Sequence, residues 1–127
     1  MTDGVPQRGD RGSAGVWLLA CGALLLAVAA VVVVRGLAVL ARHRAESAAD
    51  LAALAAAGQI GVSTSPCRAA GRIADANEAS VARCSTDLDT DARSGTVVVR
   101  LIVSVHLPVV GVRIVTASAR AARLPAS

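Results

Sequence analysis

The 127-residue chain contains no Phe, no Tyr and no Lys, and only one Trp. Its 13 basic residues are all Arg, scattered from Arg8 to Arg123 without a cluster, and they leave a net charge of +4. Proteins that hold single-stranded nucleic acid combine a basic groove with stacking aromatic rings. Both features are missing, so no nucleic-acid partner is expected. The abundance of Ala, Val, Arg and Gly without Lys reads as the codon bias of a GC-rich genome. Only two His are present, His43 and His106, and neither has a second His, Cys or carboxylate spaced to complete a metal site. Asp87, Asp89 and Asp91 are spaced like the opening of a calcium loop, but Ala92 stands where Gly is needed and Val98 where a bidentate Glu is needed. They read as a solvated turn. No Ser, His and acid constellation suggests itself, and no glycine-rich phosphate loop follows a strand. The chain is therefore expected not to be an enzyme and to need no cofactor. The adhesion-like tripeptide Arg8-Gly9-Asp10 is short enough to recur by chance and carries no inference.

What the sequence does have is one long apolar run. From Ala14 to Val34 there are 21 consecutive uncharged residues, which at about 1.5 Å per helical residue reach roughly the 30 Å of a bilayer's hydrocarbon core. A secretory signal has a shorter core, about 7–15 residues, followed by a more polar region and a small-x-small cleavage site. Ala27-Val28-Ala29 matches that site by letter, but Val31 to Val34 follow it with no polar break. The length criterion favours a retained span, with Trp17 at a water interface. Three segments are expected: a polar leader over 1–13, a long transmembrane and projecting helix over 14–57, and a small domain over 58–127.

After Val34 nothing stops a helix until Gly58, so one helix is expected from Ala14 to Ala57 with its second half projecting from the lipid. Arg42 and Glu46 stand four apart, a favourable helical pair, and Leu37, Leu40, Leu51 and Leu54 share one side of the wheel. Within the span, Ala20, Ala23, Ala27 and Ala30 form one small-residue stripe, and Gly15, Gly22, Ala29 and Gly36 another. Such stripes permit close helix packing in lipid. They also arise by composition alone in an Ala-rich chain, and both readings stay open.

Beyond Gly58 the pattern changes. Ser65 and Pro66 read as an N-cap and first helical residue, giving a short helix to Ala76 that Asn77 closes. Val97, Val99, Leu101, Val103, Val105 and Leu107 then alternate with mostly polar residues, the mark of a half-buried strand over Thr96–Leu107. Ala79–Cys84 before it and Val112–Ala121 after it are expected as antiparallel neighbours. The expected fold class is α+β and pilin-like: a long N-terminal helix, then a short helix on the odd face of a three-stranded antiparallel sheet. So small a domain often needs a covalent staple. Cys67 and Cys84 are the thiols outside the span, and bridging them adds about 3 kcal/mol in chain-entropy terms, given an oxidising compartment. The alternative is two unrelated buried thiols. Cys21, inside the span, reads as a small packing residue.

Several stretches together resemble TadE/TadG-like proteins of the tight-adherence (Flp) pilus, most closely a short actinobacterial TadE-like branch encoded near secretion ATPases. They are "DRGSAG" before the span, "RHRAESAADLAALAAAGQ" closing the long helix, "PCRAAGRIADAN" with the later Cys84, and the tail "ASARAARLP". The resemblance implies a minor pilin-like or pseudopilin component of a Flp pilus or a type II/IV-like secretion apparatus. Its partners would be the membrane and other pilin-like or secretion-platform proteins. It would be a single-pass protein of the cell membrane with its C-terminal domain extracytoplasmic. Gly12 is the possible leader cleavage point, but Trp17 occupies the place where pseudopilins carry a Glu that pairs with a neighbour's N-terminus. A membrane-tethered interaction or regulatory module unrelated to pilus assembly is the alternative. Charge does not fix orientation, since Arg8 and Arg11 precede the span and Arg35, Arg42 and Arg44 follow it.

Overall fold

A computed structural model describes residues 11–108 and 110–125. Residues 1–10 of the expected leader, with the Arg8-Gly9-Asp10 tripeptide, lie outside the described residues. Helix α1 spans Arg11–Gly58, 48 residues without interruption. No Pro falls inside it, and an interior Gly such as Gly22 or Gly36 costs only about 1 kcal/mol relative to Ala. Its last carbonyls are taken up by a tightened turn: Gln59 N donates to Ala56 O at 3.0 Å and Ile60 N to Ala57 O at 3.1 Å. Gly61, at φ +74°, then turns the chain away.

Helix α2 covers Pro66–Ala76 with Pro at its start, as the sequence implied, but Ser65 makes no side-chain cap hydrogen bond. Asn77 does close it: its Nδ2 donates to Ile73 O at 2.8 Å and its backbone N to Ala74 O at 2.9 Å. Three strands follow, β1 (Ala79–Leu88), β2 (Gly95–Leu107) and β3 (Gly111–Arg123), in an antiparallel sheet of order β1-β2-β3. The architecture is the expected α+β fold. β1 runs past Cys84, where the polar run Ser85-Thr86-Asp87 had read as a turn, because those residues pair with Val98, Val97 and Thr96. Backbone pairing to a central strand outweighs the absence of an apolar pattern and the low β propensity of Asp87. The register slips once, between Val81 and Arg83.

The chain divides into two compact units, residues 1–35 and 36–127. The first is α1 alone over its described residues, with Val16, Trp17, Leu18, Leu19 and Leu24 through Leu26 all exposed. The second unit begins at Gly36, and its core takes in the second half of α1. Ala45, Ala48, Ala49, Ala52, Ala53, Ala56 and Ala57 of α1 form one buried cluster with Val97, Val99 and Leu101 of β2, Ala117 and Ala121 of β3, and Ala70 and Ala74 of α2. The odd face of the sheet is thus covered by α2 together with the second half of α1. The leucines expected to mark an apolar helix face are not in this core. Leu37, Leu40, Leu51 and Leu54 are all exposed, and Ala lines the buried side. Small side chains let the helix backbone come close to the sheet, so dispersion contact substitutes for side-chain bulk.

Gly95 opens β2 at φ +153°, and a Cβ there would stand 2.4 Å from Asp87 O and 2.9 Å from Leu88 Cα. Both obstacles are backbone of the paired strand and cannot swing aside. Gly95→Ala is expected to destabilise the sheet by about 1–3 kcal/mol or more. Loss of amide-exchange protection at the β1–β2 end, with α2 unaffected, would report it.

Candidate functional site

The side of α1 opposite the alanine seam carries the site. Leu37, Arg44, Leu51 and Gly58 recur at heptad spacing, and Leu40, Ser47 and Leu54 in the same register, but Leu37, Leu40, Arg44 and Ser47 line clefts shared with the end of β2, which leaves Leu51 and Leu54 as the part turned away from the sheet. Leu51 is 53 % and Leu54 62 % exposed, although large aliphatic side chains gain about 1.5–3 kcal/mol each on full burial. Arg44 interrupts the leucines with a cation, and among the described residues it makes no ion pair. Its neighbours differ. Arg42 Nε lies 2.9 Å from Glu46 Oε1, the pair foreseen from spacing, and His43 Nδ1 lies 3.6 Å from Glu46 Oε2. Exposed pairs of this kind contribute little to stability, so their main effect is to occupy the one carboxylate of that turn.

Within the first unit, Ala20, Ala23, Ala27 and Ala30 are exposed along α1, as are Cys21 and Trp17. Gly12 falls inside the first turn of the helix. A helix with this length and composition is able to cross a membrane. In the second unit the structure joins the two cysteines that the sequence singled out. Cys67 near the start of α2 and Cys84 on β1 form a disulfide, with Cα atoms 5.9 Å apart across 17 residues of sequence.

The three aspartates do not converge on a common point. Asp87 pairs with Thr96 within the sheet, while Asp91 builds the turn. Its Oδ1 accepts from Arg93 N at 3.0 Å, from Ser94 N at 3.2 Å and from Ser94 Oγ at 3.0 Å. These bonds, the one from Arg93 first, hold the Asp91 carboxyl below its ordinary pKa. Among the described residues no three His, Cys, Asp or Glu side chains are grouped as metal ligands are.

One contact was not foreseen. The Arg123 guanidinium Nη1 donates to Gly58 O at 3.0 Å and to Ile60 O at 2.7 Å, tying the end of β3 to the end of α1. A cation suits a helix C-terminus, where carbonyls lack partners. The sequence signal was the Arg-rich tail, which says nothing of which Arg reaches which helix end.

The family model Tad, Flp pilus-assembly TadE/G-like, matches residues 12–59, the stretch that forms α1. The match covers 48 of the 127 residues and makes the long helix similar to that family. No curated protein and no solved structure matches the chain.

Proposed function

We propose that this TadE-like chain is a membrane-anchored, minor pilin-like component of a Flp pilus or a type II/IV-like secretion apparatus. It is held by the apolar half of α1, with the disulfide-stapled domain outside the cytoplasm. The observation that carries this reading is the continuity of α1, one helix running from an exposed apolar stretch into the core of a small domain. A lipid-embedded segment followed in the same helix by the core of a folded head is what a pilin-like subunit needs.

The role is structural and not enzymatic. Assembly proceeds through helix contacts: the small stripe in the span for close approach in lipid, and the exposed Leu51 and Leu54 for a partner helix. Trp17 in place of a pilin-type Glu fits an anchor more than a polymerising subunit.

Three measurements test this. Intact mass distinguishes the full chain from forms cut after Gly12 or after Ala29, and a mature chain beginning at Ala30 ends the anchor reading. Alkaline carbonate should leave the protein in the membrane fraction. Ala23→Leu and Ala27→Leu are expected to abolish crosslinking to partner helices with insertion unchanged. Unaltered crosslinking to the secretion platform in both variants would reduce the stripes to composition.

A further inference from the structure

We propose that the outer face of the sheet, the one turned away from α2 and the alanines of α1, is a docking surface for a carboxylate-bearing partner protein, recognised by Arg83, Arg100 and Arg120. The inference goes beyond the anchor reading and does not depend on it, since every residue involved belongs to the second unit.

The strand register assembles what the sequence scatters. Val97, Val99 and Leu101 are buried in the core, so Val98, Arg100 and Ile102 stand on the opposite face of β2. Cys84 lies opposite Val99 and is bridged to Cys67 of α2, which turns its neighbour Arg83 outward, and Arg83 pairs directly with Arg100. On the other flank of β2, Arg100 pairs with Ser118 and Val98 with Arg120, so Arg120 stands diagonally beside Arg100. Directly opposed residues have Cβ atoms about 5 Å apart and diagonal ones about 7–8 Å. Three guanidinium groups therefore share one patch that crosses all three strands.

The three arginines are exposed, and among the described residues none of them makes an ion pair. The acid that the strands place on the same face is Asp87, opposite Thr96. It follows Arg83 by four residues, roughly 13 Å along an extended chain. Like charges directly opposite one another on neighbouring strands destabilise a sheet, so the Arg83–Arg100 pair is a repulsion that an external anion would relieve.

The surroundings select the kind of anion. Val98 and Ile114 are exposed on the same face, to either side of the Arg83–Arg100 row. Whatever covers the face must meet aliphatic side chains and cations together, as a protein surface does and a free anion does not. Guanidinium groups accept carboxylates in a bidentate fork. The domain has no Phe, Tyr or Trp, so a nucleic acid would find no rings to stack on.

Titration of the full-length protein in phosphatidylcholine nanodiscs with a fluorescein-labelled oligoglutamate peptide at low salt tests the surface; a chain that fails to enter the nanodisc speaks against the anchor alone and is titrated free in solution. The wild type is expected to bind, and Arg83→Ser and Arg100→Ser each to weaken binding about tenfold, the effect of losing one charged hydrogen bond. Arg72→Ser removes the same charge from an exposed position on α2 and should leave binding nearly unchanged. Absence of binding by the wild type, or an equal loss in Arg72→Ser, would overturn the proposal. Displacement of the peptide by phosphatidylglycerol vesicles or a single-stranded oligonucleotide, at a lower concentration of anionic groups than unlabelled oligoglutamate needs, would assign the face to lipid or nucleic acid and overturn it as well. Arg100→Glu, facing Arg83, is expected to abolish peptide binding while raising the melting temperature of the free domain by roughly 2–6 °C, followed by circular dichroism. A lowered melting temperature would show that the opposed arginines are at rest where they stand, and would overturn the case for an external anion.

Discussion

Reducing the Cys67–Cys84 bridge, or replacing Cys84 with Ser, is expected to unfold most of the small domain while leaving the apolar half of α1 helical. The reason lies in what the core is made of. Among the described residues 17 hydrophobic side chains are buried, and 13 of them are Ala, leaving Ile60, Val97, Val99 and Leu101 as the large ones. Burial of an Ala methyl removes little area from water, so this core gains less per residue than one built from Leu and Phe. A bridge across 17 residues contributes a few kcal/mol by restricting the unfolded chain, and its loss from a small domain costs about 2–5 kcal/mol. That equals a large part of a typical stability of about 5–15 kcal/mol, and corresponds to a fall in melting temperature of roughly 10–30 °C for a domain of this size. The domain has no Phe, Tyr or Trp, so intrinsic fluorescence does not follow it. Far-UV circular dichroism of the sheet, or amide exchange over β2, does. A melting point unchanged by reductant would dismiss the staple.

The same experiment reads topology. An extracytoplasmic domain matures with the bridge closed, so labelling of denatured, unreduced protein should find one thiol, Cys21, and labelling after reduction should find three. Three reactive thiols before reduction would place the domain in a reducing compartment and remove the outward orientation from the proposed function.

Elements with strong local signals were legible in the sequence. The 21-residue uncharged run, Pro66 with Asn77 around α2, and the alternation of β2 from Val97 to Leu107 each follow one period or one turn rule, and each stands where it was expected. The disulfide was also legible, because Cys67 and Cys84 are the two thiols beyond the apolar run. The buried side of α1 was not legible. On a helical wheel Leu37, Leu40, Leu51 and Leu54 share one side and outrank any Ala in hydrophobicity, and nothing in the sequence marked the alanines as the core side. The structure buries the alanines because a helix laid flat on a sheet is limited by how closely the backbones approach. The hidden length of β1 has a related cause: Ser85, Thr86 and Asp87 have no apolar pattern and are held as a strand by the backbone of β2 alone. The Arg123 link to α1 spans 65 residues to Gly58, beyond the reach of any local rule.

This reversal between alanines and leucines yields the sharpest prediction, since neighbouring positions on one helix should respond in opposite ways. Ala52 is fully buried and belongs to the cluster that includes Val97, Val99 and Leu101, so Ala52→Leu inserts three carbon atoms where no space exists. The helix must lift from the sheet or the strands must shift, at a cost of about 1–3 kcal/mol and occasionally more. Ala56→Leu lies one turn further along the seam, and in combination the two share a single displacement, so their costs should not simply add. Leu54→Ala, between them in sequence, removes an exposed side chain and should change stability by no more than about 0.5 kcal/mol. Its effect should fall on association: a partner helix seated on Leu51 and Leu54 loses buried area, and crosslinking through that face should weaken while the fold persists. Urea unfolding followed by circular dichroism, run beside crosslinking for the three single variants, separates these outcomes. If Leu54→Ala destabilises the domain as much as Ala52→Leu does, α1 packs through its leucines after all, and the surface assigned to a partner is part of the core.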